Sequence, residues 1–266
     1  MKFQLVAFSL LFPALAIAEP IVALQWSPAA NRLVVAMPSE IHLMSAEEVT
    51  TFAAPSQTIN DVTLFDNDSQ LLIGTNEGVY VSPLKSGEWS SLNAGLESNS
   101  VEFVFTNVEL QNVLYAATQD IVYKLTPDEN NWVNMDAGPG GEVTDYLHTN
   151  MPDSMETGWI FTSTTNGVAF TADCFCFWRD VRNFDHSVLA MTYQPDEPSW
   201  LYAATKDSLF ESKDGARTWQ KLVTIPVRNA TALTSAGKNQ FYLGTSDGEL
   251  YRLDYAALTW TKVNEF

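Results

Sequence analysis

One spacing recurs along the chain, from a threonine that ends an apolar run to a tryptophan further on. The interval is 14 residues in four places and 15 in a fifth: Thr75 to Trp89, Thr118 to Trp132, Thr164 to Trp178, Thr205 to Trp219 and Thr245 to Trp260. The tryptophans lie 43, 46, 41 and 41 residues apart. A sixth copy at residues 33–37 has Met37 in place of the threonine and no tryptophan. A chain with this period is expected to fold into stacked units of nearly equal size.

Each unit contains four short segments of β-type sequence. The apolar runs before the landmark threonines are predicted second strands. They lie between predicted first strands at residues 21–27, 59–65, 100–108, 143–149, 188–193 and 230–235 and predicted third strands at residues 41–44, 79–82, 121–125, 168–171, 209–212 and 250–253. Fourth strands are predicted to begin at each tryptophan, and no segment favours a helix. A four-stranded unit of this period is typical of a β-propeller blade.

We therefore predict an all-β protein, a six-bladed β-propeller of four-stranded antiparallel blades over residues 19–266. The chain begins on a first strand and ends on a fourth, so either closure of the ring depends on packing between blades or the outermost strand of one blade is assigned wrongly. The five landmark tryptophans are predicted to be packing residues, because aromatic side chains at a repeat spacing belong first to the core. Blade 1 lacks both landmarks and is predicted to be the weakest.

Residues 1–18 have the features of a cleaved secretory signal: Lys2, an apolar stretch, and Ala16 and Ala18 ahead of Glu19. We expect a mature chain that begins near Glu19 and resides in a bacterial periplasm or the medium. No later run reaches the ~20 apolar residues of a membrane span. The formal net charge of −18 argues against nucleic acid and anionic membrane surfaces as main partners, since both require concentrated Lys and Arg. The charge is consistent with a cationic partner or with solubility alone.

An eight-residue segment in the fifth unit carries the clearest motif. Its landmarks are Ser212, Asp214, Gly215, Thr218 and Trp219, which combine a turn-forming Asp-Gly pair with a tryptophan that can cover the turn. The segment resembles the Asp box of sialidase-like, BNR-repeat β-propellers, with Ala216 where that motif has glycine. The family includes sialidases and other glycosidases, sortilin-type receptors and propellers like the photosystem II assembly factor. The box is a peripheral folding element in these proteins, so the resemblance implies a fold and no active site.

The arginines that sialidase activity requires are not where the resemblance implies they should be. Sialidases hold a carboxylate with three arginines, one of them in the first blade near the ring of central turns. Arg32 is predicted on the opposite turn, and the next arginine is Arg179. We therefore expect a non-catalytic protein-binding or assembly scaffold without a cofactor, whose partner is another exported protein or a cationic ligand. The alternative is a glycoside-directed hydrolase or lyase.

The turns between second and third strands should lie together on one face of the ring. Their central positions are Glu77, Asp120, Asn166, Asp207 and Asp247, with Ser39 in the first unit. One hypothesis is an acidic rim that attracts a basic peptide, a polyamine or divalent cations. The other is turn chemistry alone, because Asp-Gly and Asn-Gly are the preferred pairs of tight hairpins.

Arginines are grouped in two successive connectors that are expected on the same face. The first contains Arg179, Arg182, Asp185 and His186, and the second contains Arg228. These residues could hold a carboxylate or phosphate ligand by bidentate contacts, or they could form ion pairs on the rim of an acidic protein.

Cys174 and Cys176 are the only cysteines, and they lie in a second, altered copy of the box. Bridging two residues so close in sequence requires a strained ring. The alternatives are a disulfide, a soft-metal site for which Cu(I) is the best candidate, and free or intermolecular thiols.

Overall fold

The computed structural model describes residues 18–55, 58–154, 157–172, 175 and 177–266. These residues form 24 strands and no helix. The strands lie in six sheets of four, each made of consecutive antiparallel strands, and the innermost strands of neighbouring sheets pack around one axis. The molecule is a six-bladed β-propeller, which confirms the fold predicted from the repeat. Cys174 and Cys176 lie outside the described residues, as does most of the predicted signal.

Every blade runs from its innermost to its outermost strand in chain order. The strands are β1 (Ala23–Ser27), β2 (Arg32–Ala36), β3 (Glu40–Met44) and β4 (Val49–Ala53) in blade 1; β5 (Ile59–Phe65), β6 (Gln70–Thr75), β7 (Gly78–Pro83) and β8 (Ser90–Ser91) in blade 2; β9 (Phe103–Thr106), β10 (Leu114–Ala117), β11 (Ile121–Leu125) and β12 (Val133–Ala137) in blade 3; β13 (Val143–Thr149), β14 (Trp159–Thr164), β15 (Gly167–Ala172) and β16 (Arg179–Asp180) in blade 4; β17 (Val188–Gln194), β18 (Glu197–Thr205), β19 (Ser208–Ser212) and β20 (Gln220–Thr224) in blade 5; and β21 (Ala230–Ser235), β22 (Gln240–Thr245), β23 (Glu249–Asp254) and β24 (Thr259–Glu265) in blade 6.

The outermost strands differ most from the prediction. Four of them begin one residue after the landmark tryptophan, and β24 begins one residue before it. In blades 2 and 4 they contain only two residues each. Blade 1 is nevertheless complete, because β4 pairs with β3 without any tryptophan. Pairing with the third strand, and not the tryptophan, therefore decides where an outermost strand forms.

Side chains on the second strands alternate between two interfaces. In β6, Leu71 and Ile73 pack with blade 1 and Leu72 packs with blade 3, as the period of two in a strand requires. Six apolar clusters result, one between each pair of neighbouring blades. Because the second strands are buried on both faces, their sequences are almost continuously apolar.

The landmark tryptophans complete these interfaces. Each of the five packs in the cluster between its own blade and the preceding one. Trp89 Nε1 donates to the carbonyl of Ala53 at 2.9 Å, and Trp219 stacks on Phe184 with ring centroids 4.4 Å apart. The repeat spacing therefore reflects packing between neighbouring blades.

The ring closes between blades 6 and 1, at an interface that we call the seam. The Ile21 N–H donates to the Thr245 carbonyl at 3.0 Å, and the Thr231 hydroxyl donates to the Ile21 carbonyl. Phe266 packs on His42 with ring centroids 4.6 Å apart. An apolar cluster that includes Ile21 and Phe266 fills the space between the blades. The seam joins the first and last blades, which no connector between blades links, so non-covalent contacts such as these hold it.

The segment that resembles an Asp box forms the turn between β19 and β20. Asp214 Oδ1 accepts hydrogen bonds from the Ser212 hydroxyl and the Thr218 N–H, both at 2.9 Å, and Oδ2 accepts from the Thr218 hydroxyl. Ala216 adopts a φ of 66°, the left-handed conformation for which the motif uses glycine. Burial alone would raise the pKa of Asp214, but the bonds from Thr218 and Ser212 outweigh it and lower the pKa. The ionised carboxylate is therefore the part that organises this turn.

Asp214→Ala is expected to lower the free energy of unfolding by ~2 kcal/mol, because it removes three hydrogen bonds to one charged group. The pKa of Asp214 is lowered by folding, so its contribution is present at neutral pH and is lost as the pH falls through the folded-state pKa. Urea unfolding at pH 7 and pH 3 measures both effects. Asp128→Ala is the matched control, since Asp128 lies in the corresponding turn of blade 3 without a described hydrogen bond. Equal losses in the two variants would contradict this role.

Candidate functional site: the ring face and the central channel

The turns between second and third strands lie on one face of the propeller, which we call the ring face. The residue at the equivalent position is exposed in every blade. In chain order these residues are Ser39, Glu77, Asp120, Asn166, Asp207 and Asp247.

In blades 2 to 6 the landmark threonine closes this turn from inside. The Thr75 hydroxyl donates to the Gly78 carbonyl at 2.8 Å and accepts from the Glu77 N–H at 3.1 Å. Thr205 donates in the same way to the Ser208 carbonyl at 3.0 Å. The threonine of the repeat thus fixes the backbone on which the polar ring-face residue is carried.

Connectors between blades are tied to the same turns, so they share the ring face. Asn229, in the connector before β21, donates to Asp247 Oδ2 at 2.8 Å. The Thr58 N–H, before β5, donates to Asn76 Oδ1 at 3.1 Å. In blade 1 the carboxylate of Glu19 accepts from the Ser39 hydroxyl at 2.8 Å. The ring face is therefore a set of mutually hydrogen-bonded loops carried on a rigid scaffold.

The four ring-face carboxylates fall into two groups. Asp207 accepts a hydrogen bond from the Ser208 hydroxyl at 2.8 Å, and Asp247 accepts from Asn229, so both shape their own loops. The side chains of Glu77 and Asp120 make no hydrogen bond or ion pair with a described residue. Local turn chemistry therefore accounts for two of these carboxylates and leaves two available.

The arginines are distributed over two connectors and one strand. Arg182, Asp185 and His186 are exposed in the connector between β16 and β17, and Arg228 is exposed in the connector between β20 and β21. Arg179 instead lies in the outermost strand of blade 4, where it stacks over the Phe177 ring at 4.5 Å. Within the described part of the chain, none of the three arginines forms an ion pair.

Two carboxylates that the sequence reasoning missed line the channel along the axis of the propeller. Asp61 in β5 accepts from its neighbour Val62 N–H at 2.7 Å and, across the blade interface, from the Val104 N–H at 2.8 Å. Asp145 in β13 accepts from the Met191 N–H of blade 5 at 2.9 Å. The two side chains thus join blade 2 to blade 3 and blade 4 to blade 5 at the hub.

Burial shifts the protonation of both channel carboxyls. It raises the pKa of Asp61 well above its usual value, and repulsion from Asp145 adds to the shift. Burial raises the pKa of Asp145 to about 7, although hydrogen bonds from Met191 and Tyr146 oppose it. Two acids of raised pKa therefore face one narrow space at neutral pH.

The channel narrows between two wider mouths. Its waist has a volume of about 120 Å³ and is lined by all six innermost strands, including Asp61 and Asp145. The mouth on the ring face, lined by Asn60, Glu102 and Phe103 among others, has a volume of about 620 Å³. The opposite mouth has a volume of about 350 Å³ and also reaches both aspartates.

A pattern in the first strands could have revealed these carboxylates. Asp61 and Asp145 are each the third residue of their strand, beside a shift in register between first and second strands. An aspartate at the same repeat position of two innermost strands, each of mixed polarity, was the available signal.

Residues 244–248 read Gly-Thr-Ser-Asp-Gly and match the Gly-x-Ser-x-Gly pattern of hydrolase nucleophiles. That pattern works as a sharp turn between a strand and a helix. Here Ser246 lies in the hairpin between β22 and β23, where its hydroxyl accepts from Asn229 at 3.2 Å. The structural context of a nucleophile is therefore missing.

The described residues include no group of three or more His, Cys, Asp or Glu side chains positioned to hold a metal ion. Among them, no helix is long and apolar enough to cross a membrane.

Comparison with known proteins identifies the fold and no family. Neither a protein-family model nor a curated protein matches the sequence. A chain of the Mitotic Checkpoint Complex aligns with a TM-score of 0.59 and 16% identity, over 99% of this chain and 87% of its own. A chain of the nidogen/laminin complex aligns with a TM-score of 0.72 and 13% identity, over 88% and 92%.

The extracellular domain of a hybrid two-component system from B. thetaiotaomicron aligns with a TM-score of 0.63 and 13% identity, over 93% of this chain and 33% of its own. At these identities the likeness shows the fold alone. The class of protein is the β-propeller, and two of these neighbours were solved as complexes of several proteins.

Proposed function

We propose that this protein is exported and acts as a non-catalytic scaffold that binds another exported protein, or a cationic ligand, through its ring face. The observation that carries the proposal is the arrangement of that face, where loops tied to one another hold Glu77 and Asp120 exposed and without a local partner. Preorganised charge of one sign favours a partner of the opposite sign. The neighbouring propellers found in protein complexes support this use of the fold. Export rests on the predicted signal at residues 1–18.

Neutralising the ring face is expected to weaken partner binding at least tenfold. The variant combines Glu77→Gln, Asp120→Asn, Asp207→Asn and Asp247→Asn, which removes the charges and keeps the side-chain shapes. Crosslinked affinity capture of the exported protein from its native host, quantified against the native chain, measures the effect. Raising the salt concentration should weaken capture by the native chain as well, since exposed charges are screened.

The matched control removes four exposed carboxylates from the opposite face. It combines Glu47→Gln, Glu109→Gln, Asp128→Asn and Asp196→Asn, so that both variants have the same net charge. The control is expected to capture the same partner as the native chain. Undiminished capture by the ring-face variant, or equal loss in both variants, would reject the ring face as the binding surface.

A glycoside-directed hydrolase or lyase is the second candidate, favoured by the raised pKa values of Asp61 and Asp145. Paired carboxyls of this kind serve as acid and base in glycosidases. The waist, at about 120 Å³, is smaller than the ~300 Å³ at which small-molecule pockets begin. A sugar would therefore have to reach the two carboxyls from the opposite mouth, of about 350 Å³.

A further inference from the structure

The fold does not require the two channel carboxylates. Asp61, Asp145 and Ala232 occupy the same position in the innermost strands of blades 2, 4 and 6, each beside a register shift. Blade 6 forms a complete four-stranded sheet with the apolar side chain of Ala232 at this position. The architecture alone therefore does not explain the carboxylates in the other two blades.

Acceptor capacity in the waist exceeds what the protein uses. An ionised carboxylate offers about four lone-pair sites, and Asp61 accepts only the N–H groups of Val62 and Val104. Thr234 lines the same space, is 6% exposed, and has a hydroxyl that makes no hydrogen bond with any described group. Its oxygen is open to the channel and is not sealed in the core, so it can accept from a donor that enters there. A ligand in the channel would supply that donor.

We propose that the waist of the channel binds a primary ammonium group, with Asp61, Asp145 and Thr234 as its acceptors. An ammonium carries three donors and no acceptor, which matches a site of two carboxylates and one hydroxyl. The waist volume of about 120 Å³ is room for about four waters. That space suits a linear aminoalkyl chain better than a planar guanidinium or an aromatic cation. The site is distinct from the ring-face turns and does not depend on a protein partner there.

Two sources could supply the ammonium group. One is a free diamine, and the other is a lysine side chain that enters through the ring-face mouth past Glu102 and Phe103. Either ligand would place a primary ammonium nitrogen between the same acceptors.

Binding is coupled to proton release. A protonated carboxyl that becomes an acceptor for the ammonium loses its O–H proton to the solvent, so the bound cation replaces that proton and no other bond changes. Carboxylates on the surface are ionised at pH 6.5 and release nothing. The other titratable groups that line the waist and its mouths are Tyr146, Tyr193, Glu102, Asp68 and His148.

Calorimetry with 1,4-diaminobutane and with Nα-acetyl-lysine N-methylamide tests the proposal. The titrations are made at pH 6.5 and constant ionic strength, in two buffers of different ionisation enthalpy. The native chain is expected to bind the diamine and release protons. Binding of the lysine amide as well would assign the site to side chains. Asp61→Asn with Asp145→Asn is expected to bind at least tenfold more weakly and to release no protons.

Two more variants separate this site from general effects. Glu47→Gln with Asp128→Asn removes the same charge from exposed turns on the face opposite the ring face and is expected to leave amine binding unchanged. Thr234→Val keeps the shape and removes only the hydroxyl, so it is expected to weaken binding severalfold. No binding of either amine by the native chain would overturn the proposal. Native-like binding by the double aspartate variant would overturn it too.

Discussion

Replacing Asp61 and Asp145 together by asparagine is expected to stabilise the protein at pH 8 by ~3 kcal/mol and to change its stability at pH 5 far less. Asparagine has a similar shape, and its Oδ1 can accept the interblade hydrogen bonds from Val104 and Met191. The variant removes the charge that two buried carboxylates acquire as the pH rises. It also removes one of the two acceptor oxygens of Asp61, a loss that is the same at every pH.

The gain in stability at high pH follows from the raised pKa values of the two carboxyls. Folding raises the pKa of both carboxyls, so the folded state holds their protons more tightly than the unfolded chain does. Their favourable contribution is complete below the unfolded-state pKa of ~3.9 and is lost as the pH rises through the folded-state values. For Asp145 that value is about 7. Each pKa unit corresponds to ~1.4 kcal/mol, and water in the channel screens part of the full amount.

Urea unfolding at pH 5, 6.5 and 8 measures this effect. The native chain should lose stability across the series, and the double variant should change much less. Glu47→Gln with Asp128→Asn is the control, because it removes two exposed carboxylates that make no hydrogen bond with a described residue and should shift all three values together. Parallel curves for the native chain and the channel variant would contradict the assignment.

The two channel carboxylates could not be predicted as a site from the sequence. An aspartate in a strand of mixed polarity, such as residues 59–65, reads as an ordinary polar position on one face. Its importance arises only because six innermost strands converge on one axis and bring Asp61 and Asp145 near each other. Proximity of this kind is a property of the closed ring, and no local pattern encodes it.

Local features were predicted much better. The repeat predicted the blades because each blade is one contiguous segment, and the threonine and tryptophan act within that segment or on the preceding one. The ring-face turns were predictable for the same reason. Arg179 was predicted less well. Its nearness in sequence to Arg182 placed both in one connector, but Arg179 belongs to an outermost strand.

The seam is the interface at which a single truncation should matter most. Ile21→Ala is expected to lower the free energy of unfolding by ~3 kcal/mol, because Ile21 is fully buried in the cluster between blades 6 and 1. The loss should also be local. Because no chain segment links these two blades directly, a cavity there favours opening of the ring ahead of global unfolding.

Ile59→Ala is the control that separates the loss of global stability from local opening of the ring. Ile59 is equally buried at the start of β5, but it lies between blades 1 and 2, which the chain itself connects. Both variants should lose similar stability in urea. In native-state hydrogen exchange, only Ile21→Ala should expose the backbone amide of residue 21, which is bonded to the Thr245 carbonyl across the seam. If exchange at that amide rises equally in both variants, the seam is no weaker than the covalently linked interfaces. If it rises only in Ile21→Ala, packing between the first and last blades is what keeps the ring closed.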